Sequence, residues 1–358
     1  MQRLRIGVDG RPLRNPFTGI GIYTREILAR LAKHHDLCVY LDSFRDSGLA
    51  EEPPFAATFR SGAKRGLPDP LVVHTLFPRW ARQDQVDVFF SPRHHLPALL
   101  ADVPTVVTIH DLVWRVAPAT MRSANRLLET ALMPVALKRA DHVIAVSQDT
   151  ANRLAPYRTR NVHVIHEGAR CLPKALPFSH PRPFFLFVGT KEPRKNLRGV
   201  IEGFTHACEG GLPPVDLVLA GSQGWNEPTL DAAIAANNRI VDLGAVNEDV
   251  LASLYAGCVG VVVASHYEGF GLPLVEAMQR GKPAIAANAG ALAEVAGDAA
   301  VLVNPADTHD IARGFLTLGA DNQAYSTHAV AAERRASLFS WDRAAERTMA
   351  ILHAAANR

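Results

Sequence analysis

Two glutamates frame a short glycine-containing segment in the second half of the chain. Glu268 and Glu276 stand eight residues apart within Ser265–Ala277, S-H-Y-E-G-F-G-L-P-L-V-E-A. An apolar run precedes this segment, and Pro273 is typical of the first turn of a helix, where amide groups favour anions. Glu268 is therefore predicted in a loop and Glu276 inside the helix, so the two cannot be neighbours on one helical face. The pattern predicts a crevice that holds an anion and binds two separate sets of hydroxyl groups.

A pair of adjacent cations follows another apolar run. Phe184–Val188 leads directly into Gly189–Asn196, G-T-K-E-P-R-K-N, which contains Arg194 and Lys195. At the carboxyl end of a strand, an arginine offers a bidentate fork and a lysine offers a point charge, and both suit a diphosphate. A solvated basic loop is the alternative interpretation.

Two glycines near the amino terminus precede a predicted helix over Ile22–Lys33. The free amide groups at such a helix start favour a phosphate near Gly19 and Gly21. A dinucleotide-binding fingerprint is excluded, because Thr24 stands at its third glycine position and the glycines lie far from the preceding strand. A purely structural turn remains the alternative.

The elements that position these residues alternate between strands and helices. A proline-rich segment, Cys171–Pro183, is predicted to link two such regions. Continuously apolar strands joined by helices indicate parallel sheets covered on both faces, which bind ligands at the carboxyl ends of their strands. The prediction is an α/β protein of two doubly wound domains, with the site in the cleft between them. The predicted strands are Leu4–Asp9, Leu37–Leu41, Val86–Ser91, Thr105–His110, His142–Ser147, Val162–His166, Phe184–Val188, Asp216–Ala220, Ile240–Leu243, Gly260–Ser265, Pro283–Ala287 and Ala300–Val303. The other predicted helices are Ser123–Arg139, Asn196–Cys208, Asn247–Ala256 and Leu272–Arg280.

Composition excludes several classes of protein. The 358 residues are 48% hydrophobic and 20% charged, which excludes a disordered or collagen-like chain. No apolar run approaches the ~18 residues of a membrane-spanning helix, and no secretory signal is visible, so a cytoplasmic location is expected. The four cysteines are widely spaced and are predicted to be free thiols. A net charge of +3 is too small to indicate nucleic-acid binding.

The segments Glu268–Glu276 and Gly189–Asn196, together with Gly19 and Gly21, resemble the retaining glycosyltransferases of the family-4, glycogen-synthase-like group. The resemblance implies the GT-B fold, two Rossmann-like doubly wound domains that face each other across a cleft. Residues 1–172 with 341–358 would form the acceptor-side domain, and residues 173–340 would bind the nucleotide sugar. The sequence F-S-W-D and the helix after it, to about Ala355, would return the chain to the first domain.

The resemblance also implies roles for individual residues. Glu276 would bind the ribose hydroxyls, and Glu268 would bind hydroxyls of the transferred hexose. Arg194 and Lys195 would neutralise the diphosphate, and His110 would orient the sugar and stabilise charge; a structural hydrogen bond is the alternative for that histidine. Further contacts with the nucleotide sugar are expected. Gly19 and Gly21 would allow a close approach to the diphosphate, and the backbone of Val246 would bind the base. The amide groups that would bind the sugar and phosphate are those of Phe270, Gly271 and Leu272.

One position departs from the pattern of the family. Thr190 stands where many relatives carry an arginine after the glycine, and Lys191 is a candidate substitute for that cation. No D-x-D pair lies in the expected loops, so no metal and no other cofactor are expected. The nucleotide sugar is a substrate.

The expected reaction is retaining transfer of a hexose from a nucleotide diphosphate sugar to a saccharide or lipid-linked saccharide. Gly7–Leu13 and Thr18–Thr24, G-V-D-G-R-P-L and T-G-I-G-I-Y-T, resemble bacterial mannosyltransferases of polysaccharide assembly, which favours GDP-mannose. A UDP-sugar donor, a non-hydrolysing sugar-nucleotide epimerase and a non-catalytic nucleotide-sugar binding module remain alternatives.

A basic and apolar segment suggests peripheral contact with an anionic membrane. Residues 60–82 interleave cations with apolar and aromatic side chains, as helices in a lipid interface do. An ordinary amphipathic helix packed on its own sheet is the equal alternative. The cations are Arg60, Lys64, Arg65, Arg79 and Arg82.

Overall fold

The chain divides into two units. The computed structural model describes residues 2–41, 54–61, 69–100, 102–157, 159–224 and 229–357. Unit 1 comprises Met1–Leu112, Ser123–Glu167 and Ser340–Arg358, and unit 2 comprises Val113–Arg122 and Gly168–Phe339. The first division falls after Glu167, and Arg170 forms ion pairs with Glu248 and Glu276 of unit 2.

Unit 1 is built on a parallel sheet. Its described strands follow the spatial order β3-β2-β1-β4-β5-β6-β7, and every pairing is parallel. The strands Val88–Ser91, Thr105–Ile109 and His142–Ala145 are buried at every position, as expected for a sheet covered on both faces. The strands are β1 (Arg5–Asp9), β2 (Asp36–Leu41), β3 (Thr58–Ser61), β4 (Val88–Ser91), β5 (Thr105–Ile109), β6 (His142–Ala145) and β7 (Val162–Val164).

The described helices of unit 1 are α1 (Gly19–Leu31), α2 (Asp69–Gln83), α4 (Ser123–Arg139), α5 (Gln148–Leu154) and α13 (Trp341–Ala356). The short α3 (Val113–Val116) belongs to unit 2.

The first of these helices, α1, begins earlier than predicted. The side chain of Thr18 accepts a hydrogen bond from the amide of Gly21 and so caps α1. Gly19 and Gly21 therefore lie in the first turn of α1, not in a loop before it.

Helix α2 carries part of the basic and apolar segment. Its Val72, Val73 and Phe77 are buried, and the helix contacts β2. Arg60 precedes the helix and pairs with Asp84. The described part of the segment is thus an amphipathic helix packed on its own unit, while Lys64 and Arg65 lie outside the described residues.

Unit 2 repeats the same architecture. Its described strands follow the order β10-β9-β8-β11-β12-β13, again all parallel. They are β8 (Phe184–Val188), β9 (Asp216–Ala220), β10 (Ile240–Asp242), β11 (Gly260–Val263), β12 (Ala284–Ala287) and β13 (Ala300–Val303). The helices are α6 (Leu197–Glu209), α7 (Leu230–Ala235), α8 (Glu248–Gly257), α9 (Leu272–Met278), α10 (Ala291–Ala296), α11 (Thr308–Ala320) and α12 (Asn322–Ala336).

The strand orders define where each unit can bind a ligand. In each sheet, strand order reverses direction beside the first strand of the unit, between β1 and β4 and between β8 and β11. Such switch points open a crevice at the carboxyl ends of the strands.

The predicted α/β class with two Rossmann-like domains is confirmed. In the described part of the chain, no helix combines the length and apolar character that crossing a bilayer requires.

Candidate active site

The loops that follow β8 and β11 are tied together at the switch point of unit 2. The amide of His266 donates to the carbonyl oxygen of Arg194 over 2.9 Å. The side-chain amide of Asn196 donates to the carbonyl oxygens of Ala264 and Pro305 over 3.0 and 2.7 Å. Asn196 has a left-handed backbone (φ 55°), which asparagine tolerates better than most residues. These bonds fix the loop that contains Arg194 and Lys195 against the loop that contains Glu268.

Glu268 is buried and lies at the centre of a cluster of charged groups. Its carboxylate accepts hydrogen bonds from the Arg194 guanidinium and the Lys195 ammonium, each over 2.5 Å. The hydroxyl of Ser265 donates to the same carboxylate over 3.0 Å. The structure therefore brings together three residues singled out from sequence, although Glu268 is more than 70 residues from both cations.

The electrostatics of the cluster keep Glu268 ionised. Burial alone would raise its pKa, but the charges and hydrogen bonds of Arg194 and Lys195 outweigh burial and lower the pKa to about 2. Arg194 also pairs with Glu192 over 2.6 Å. The carboxylates hold both cations in fixed positions, so little side-chain entropy remains to be lost when an anion binds.

Glu276 lies in separate surroundings inside α9. It is fully buried, and the Tyr255 hydroxyl donates to one carboxylate oxygen over 2.5 Å. The other oxygen, Oε1, lies 3.2 Å from Nε of Arg170, but neither atom makes a hydrogen bond of acceptable geometry. This oxygen is therefore buried beside a cation but accepts no hydrogen bond, and the expected contact of Glu276 with ribose hydroxyls stays a prediction. Neither Tyr255 nor Arg170 was identified from sequence.

The start of α9 depends on a glycine. Gly271 has φ 102°, and a Cβ atom there would lie 2.6 Å from the side chain of Leu292. In the described part of the chain, no acceptor is recorded for the amides of Gly271 and Leu272, and no side chain caps the helix. The Phe270 ring is buried and packs edge-to-face with Phe339. The helix ends at Met278, before the predicted end at Arg280.

The other predicted donor contacts of unit 2 lie on neighbouring loops. Thr190 follows β8, and its hydroxyl oxygen lies 3.4 Å from that of Ser222. Lys191 is buried, and its ammonium pairs with Asp242 at the end of β10. Its expected role as a substitute cation for the diphosphate stays a prediction. Val246 is half-buried in the loop between β10 and α8.

His110 directly follows β5 in unit 1 and is buried. Its Nδ1 lies 3.0 Å from Oε1 of Glu167, and its Nε2 lies 2.9 Å from the carbonyl oxygen of Pro92. The ring packs edge-to-face on Tyr23, with centroids 4.7 Å apart. Both ring nitrogens therefore lie at hydrogen-bond distance from an oxygen of unit 1. The side chain is rigidly oriented, and Glu167, missed from sequence, orients it.

More charged groups surround this edge of unit 1. The amide of His110 donates to Nε2 of His94, and Nε2 of His95 lies 3.0 Å from Glu129. Burial opposes ionisation of Glu129, but hydrogen bonds from both histidines hold its pKa well below the usual range. Asp9, at the end of β1, is buried and paired with Arg11 over 2.6 Å.

Gly21 has a structural reason to lack a side chain. A Cβ atom at this position would lie 2.1 Å from the carbonyl oxygen of Asn15, which belongs to the preceding loop. The close backbone approach seen here is to that loop. The expected approach of Gly19 and Gly21 to a diphosphate stays a prediction, as do the donor contacts expected of unit 2. Among the described residues, no group of three or more His, Cys, Asp or Glu side chains could hold a metal ion.

The paired Rossmann-like units, with a buried glutamate and two cations at the switch point of unit 2, define a GT-B glycosyltransferase. Residues 17–171 match the model of Glycosyltransferase Family 4, and residues 171–335 match that of Glycosyl transferases group 1. The two matches together span most of the chain. The protein belongs to the glycosyltransferases that combine a group 1 domain with a family 4 amino-terminal domain.

Individual relatives agree in length as well as in fold. The chain is 27% identical to the O-antigen chain mannosyltransferase B of Escherichia coli, over 94% of this chain and 96% of that protein. Its fold matches HepE of Anabaena, a structure in complex with UDP and glucose, with a TM-score of 0.76, 21% identity and coverage of 98% and 100%. It also matches WaaG, a glycosyltransferase involved in lipopolysaccharide biosynthesis, with a TM-score of 0.77, 14% identity and coverage of 98% and 99%.

Proposed function

We propose that this protein transfers a mannosyl residue from GDP-mannose, with retention of anomeric configuration, to a saccharide or lipid-linked saccharide. Polysaccharide or lipopolysaccharide biosynthesis is the proposed context, and the cytoplasm, at the inner face of the cytoplasmic membrane, is the proposed location. The observation that carries the proposal is the Glu268 cluster at the switch point of unit 2. Near full-length similarity to an O-antigen chain mannosyltransferase supports the choice of sugar.

The cluster suits the departure of a nucleoside diphosphate. In the proposed reaction, the bond between the anomeric carbon and the diphosphate oxygen breaks while the acceptor oxygen bonds to that carbon on the same face. The departing diphosphate takes the acceptor proton. Arg194 and Lys195 would stabilise the negative charge that grows on the diphosphate, because fixed cations in a buried site stabilise developing charge strongly.

The remaining roles follow from the same proposal. Glu268, ionised over the physiological pH range, would accept hydrogen bonds from hexose hydroxyls. Glu276 would use its buried acceptor oxygen for a ribose hydroxyl. His110 would orient the sugar and stabilise charge, and Val246 would hold the base. No metal takes part in this scheme.

Donor binding and product analysis test the proposal. We expect GDP-mannose to raise the unfolding temperature more than UDP-glucose or UDP-N-acetylglucosamine at equal concentration, because binding stabilises the folded state by mass action. NMR of the product should show the anomeric configuration of the donor, and EDTA should leave the rate unchanged. Preferential stabilisation by a UDP-sugar would contradict the donor, and an inverted product would contradict retention.

The alternative activities give different products in the absence of acceptor. A transferase releases free nucleotide slowly, by transfer to water, whereas an epimerase yields the 2-epimer of the sugar nucleotide. A binding module does neither. We expect slow release of GDP and no epimer.

A further inference from the structure

The loop that follows β4 contacts His110 at two places. The carbonyl oxygen of Pro92 lies 2.9 Å from Nε2 of the His110 ring. Nε2 of His94 accepts a hydrogen bond from the backbone amide of His110 over 3.1 Å. Because β4 pairs in parallel with β5, this loop and His110 lie at the same edge of the sheet. One loop therefore contacts both the ring and the backbone of His110.

The same loop has internal support. The hydroxyl oxygen of Ser91, the last residue of β4, lies 2.9 and 2.6 Å from the carbonyl oxygens of Arg93 and His95. Ser91, His94 and His95 are all buried. The loop therefore turns tightly at the end of the strand, and the His94 ring is held beside the His110 amide.

The contact with the amide determines the tautomer of His94. A ring nitrogen that accepts a hydrogen bond carries no hydrogen, so in the neutral ring the hydrogen is on Nδ1. Nδ1 of His94 lies 3.9 Å from Oε2 of Glu129, which is on α4. The same oxygen lies 3.0 Å from Nε2 of His95. The negative carboxylate favours the tautomer with the hydrogen on Nδ1, because it attracts the positive end of the N–H dipole.

We propose that His94 is a positioning residue for His110, and that Glu129 holds His94 in the tautomer that this role requires. The contacts run from Glu129 through His94 to the backbone of His110, whereas Glu167 contacts the His110 ring. In this role, neither His94 nor Glu129 contacts a substrate. The expected effect on catalysis rests on the proposed function, in which His110 orients the sugar.

NMR of protein labelled with ¹⁵N at histidine tests the arrangement without any substrate. The His94 ring should carry its hydrogen on Nδ1, and the His110 amide should exchange slowly with solvent, because it is buried and hydrogen-bonded. His94→Gln supplies another acceptor for the amide, so slow exchange should remain. His94→Leu removes the acceptor, so exchange should become at least about tenfold faster. A hydrogen on Nε2 of His94 in the unaltered protein would overturn the inference.

Single-turnover hydrolysis of GDP-mannose measures the effect on catalysis. We expect His94→Leu to lower the rate about tenfold or more with donor affinity unchanged, since a small displacement of a group that acts on the reacting sugar is costly. His94→Gln should stay within about threefold of the unaltered protein, because the amide keeps an acceptor. His94→Leu combined with His110→Ala should be no slower than His110→Ala alone, because the effect of His94 passes through His110.

His35→Leu is the matched control for loss of a buried acceptor. Nδ1 of His35 also accepts a hydrogen bond from a backbone amide over 3.1 Å, that of Leu4, which precedes β1 at the opposite edge of the sheet. This variant should lose stability and keep the rate of hydrolysis.

The outcomes separate positioning from folding and from the proposed function. A further loss of rate on adding His94→Leu to His110→Ala, or an equal loss of rate in His35→Leu, would overturn the inference. Absence of GDP-mannose hydrolysis by the unaltered protein would contradict the proposed function, and the NMR measurements would then still decide whether His94 holds the His110 amide.

Discussion

Glu268 and Glu276 have different neighbours, so their removal should have different effects. Glu268→Ala removes the proposed hexose contact, so we expect transfer to be abolished. The positive charges of Arg194 and Lys195 are then less neutralised, so GDP affinity should not fall. Glu276→Ala should weaken GDP binding roughly tenfold or more, since a charge-assisted hydrogen bond contributes ~1.5–3 kcal/mol. Calorimetric titration with GDP and transfer assays measure both effects. An equal loss of GDP affinity in the two variants would contradict this division of roles.

Lys195 should distinguish a nucleoside diphosphate from a nucleoside. Its ammonium is held at the switch point by Glu268, where a diphosphate would supply further acceptors. We expect Lys195→Ala to weaken GDP binding at least about tenfold and to leave guanosine binding nearly unchanged, because only GDP carries the charge that the ammonium meets. Arg198→Ala, which removes an exposed cation paired with Glu202, is the matched control and should change neither affinity. A matched loss for both ligands would assign Lys195 to folding instead.

The hydrogen bonds of His110 make its orientation testable through Glu167. We expect His110→Ala to lower kcat with little change in donor affinity, as for a group that acts mainly on the transition state. Glu167→Gln keeps a hydrogen-bonding side chain beside Nδ1 but removes its charge, so it should lower kcat less. Single-turnover rates and donor titrations separate the two quantities. If His110→Ala leaves kcat unchanged, the histidine is a structural hydrogen bonder of unit 1.

At the scale of elements, the start of α9 depends on the backbone of Gly271. We expect Gly271→Ala to lower the free energy of unfolding by more than the ~1–2 kcal/mol of a left-handed alanine, because its Cβ also collides with Leu292. Gly211→Ala is the matched control: Gly211 has φ 91° but nothing lies within 4 Å of its Cβ position. Urea denaturation measures both. Equal destabilisation would show that the contact with Leu292 relaxes at no cost.

The sequence predicted several strands well because apolar residues fill most of their positions. Phe184–Val188, Asp216–Ala220 and Ala300–Val303 have the predicted bounds. The edge strand β3 was missed, since its residues are only half-buried and show no apolar run. Helix α1 begins three residues before the prediction, because the cap at Thr18 lies outside the apolar pattern.

The candidate site was predictable where it follows strand ends. Parallel strands bring their carboxyl ends to one edge, so the loops of Glu268 and of Arg194 and Lys195 could be assigned to the same edge, although the contacts between these residues were not predicted. Tyr255 and Glu167 were not identified, because each meets its partner through tertiary packing that no local spacing records. The position of Glu167 just after a short apolar run was the one available signal.

At the scale of the whole molecule, α13 completes unit 1 from the far end of the chain. Trp341 is buried and packs edge-to-face on Tyr23, with centroids 5.9 Å apart. We expect Trp341→Ala to lower the unfolding temperature of unit 1, since truncating a buried tryptophan costs ~3–5 kcal/mol. Asp342→Ala, at an exposed neighbour paired with Arg30, should cost no more than about 1 kcal/mol. In calorimetry, GDP should raise the temperature of the unit 2 transition and so identify it. If Trp341→Ala shifts only that transition, the assignment of α13 to unit 1 is contradicted.

The path of the chain also sets an order in which the protein can be completed during its synthesis. Strands β4, β5 and β6 of unit 1 leave the ribosome well before α13, the helix that packs on them. All of Gly168–Phe339 emerges before that helix, so unit 2 has its full set of strands while unit 1 still exposes apolar surface. The sheet of unit 1 therefore remains incompletely covered until α13 has emerged, and during that interval unit 1 is the part that a chaperone would bind.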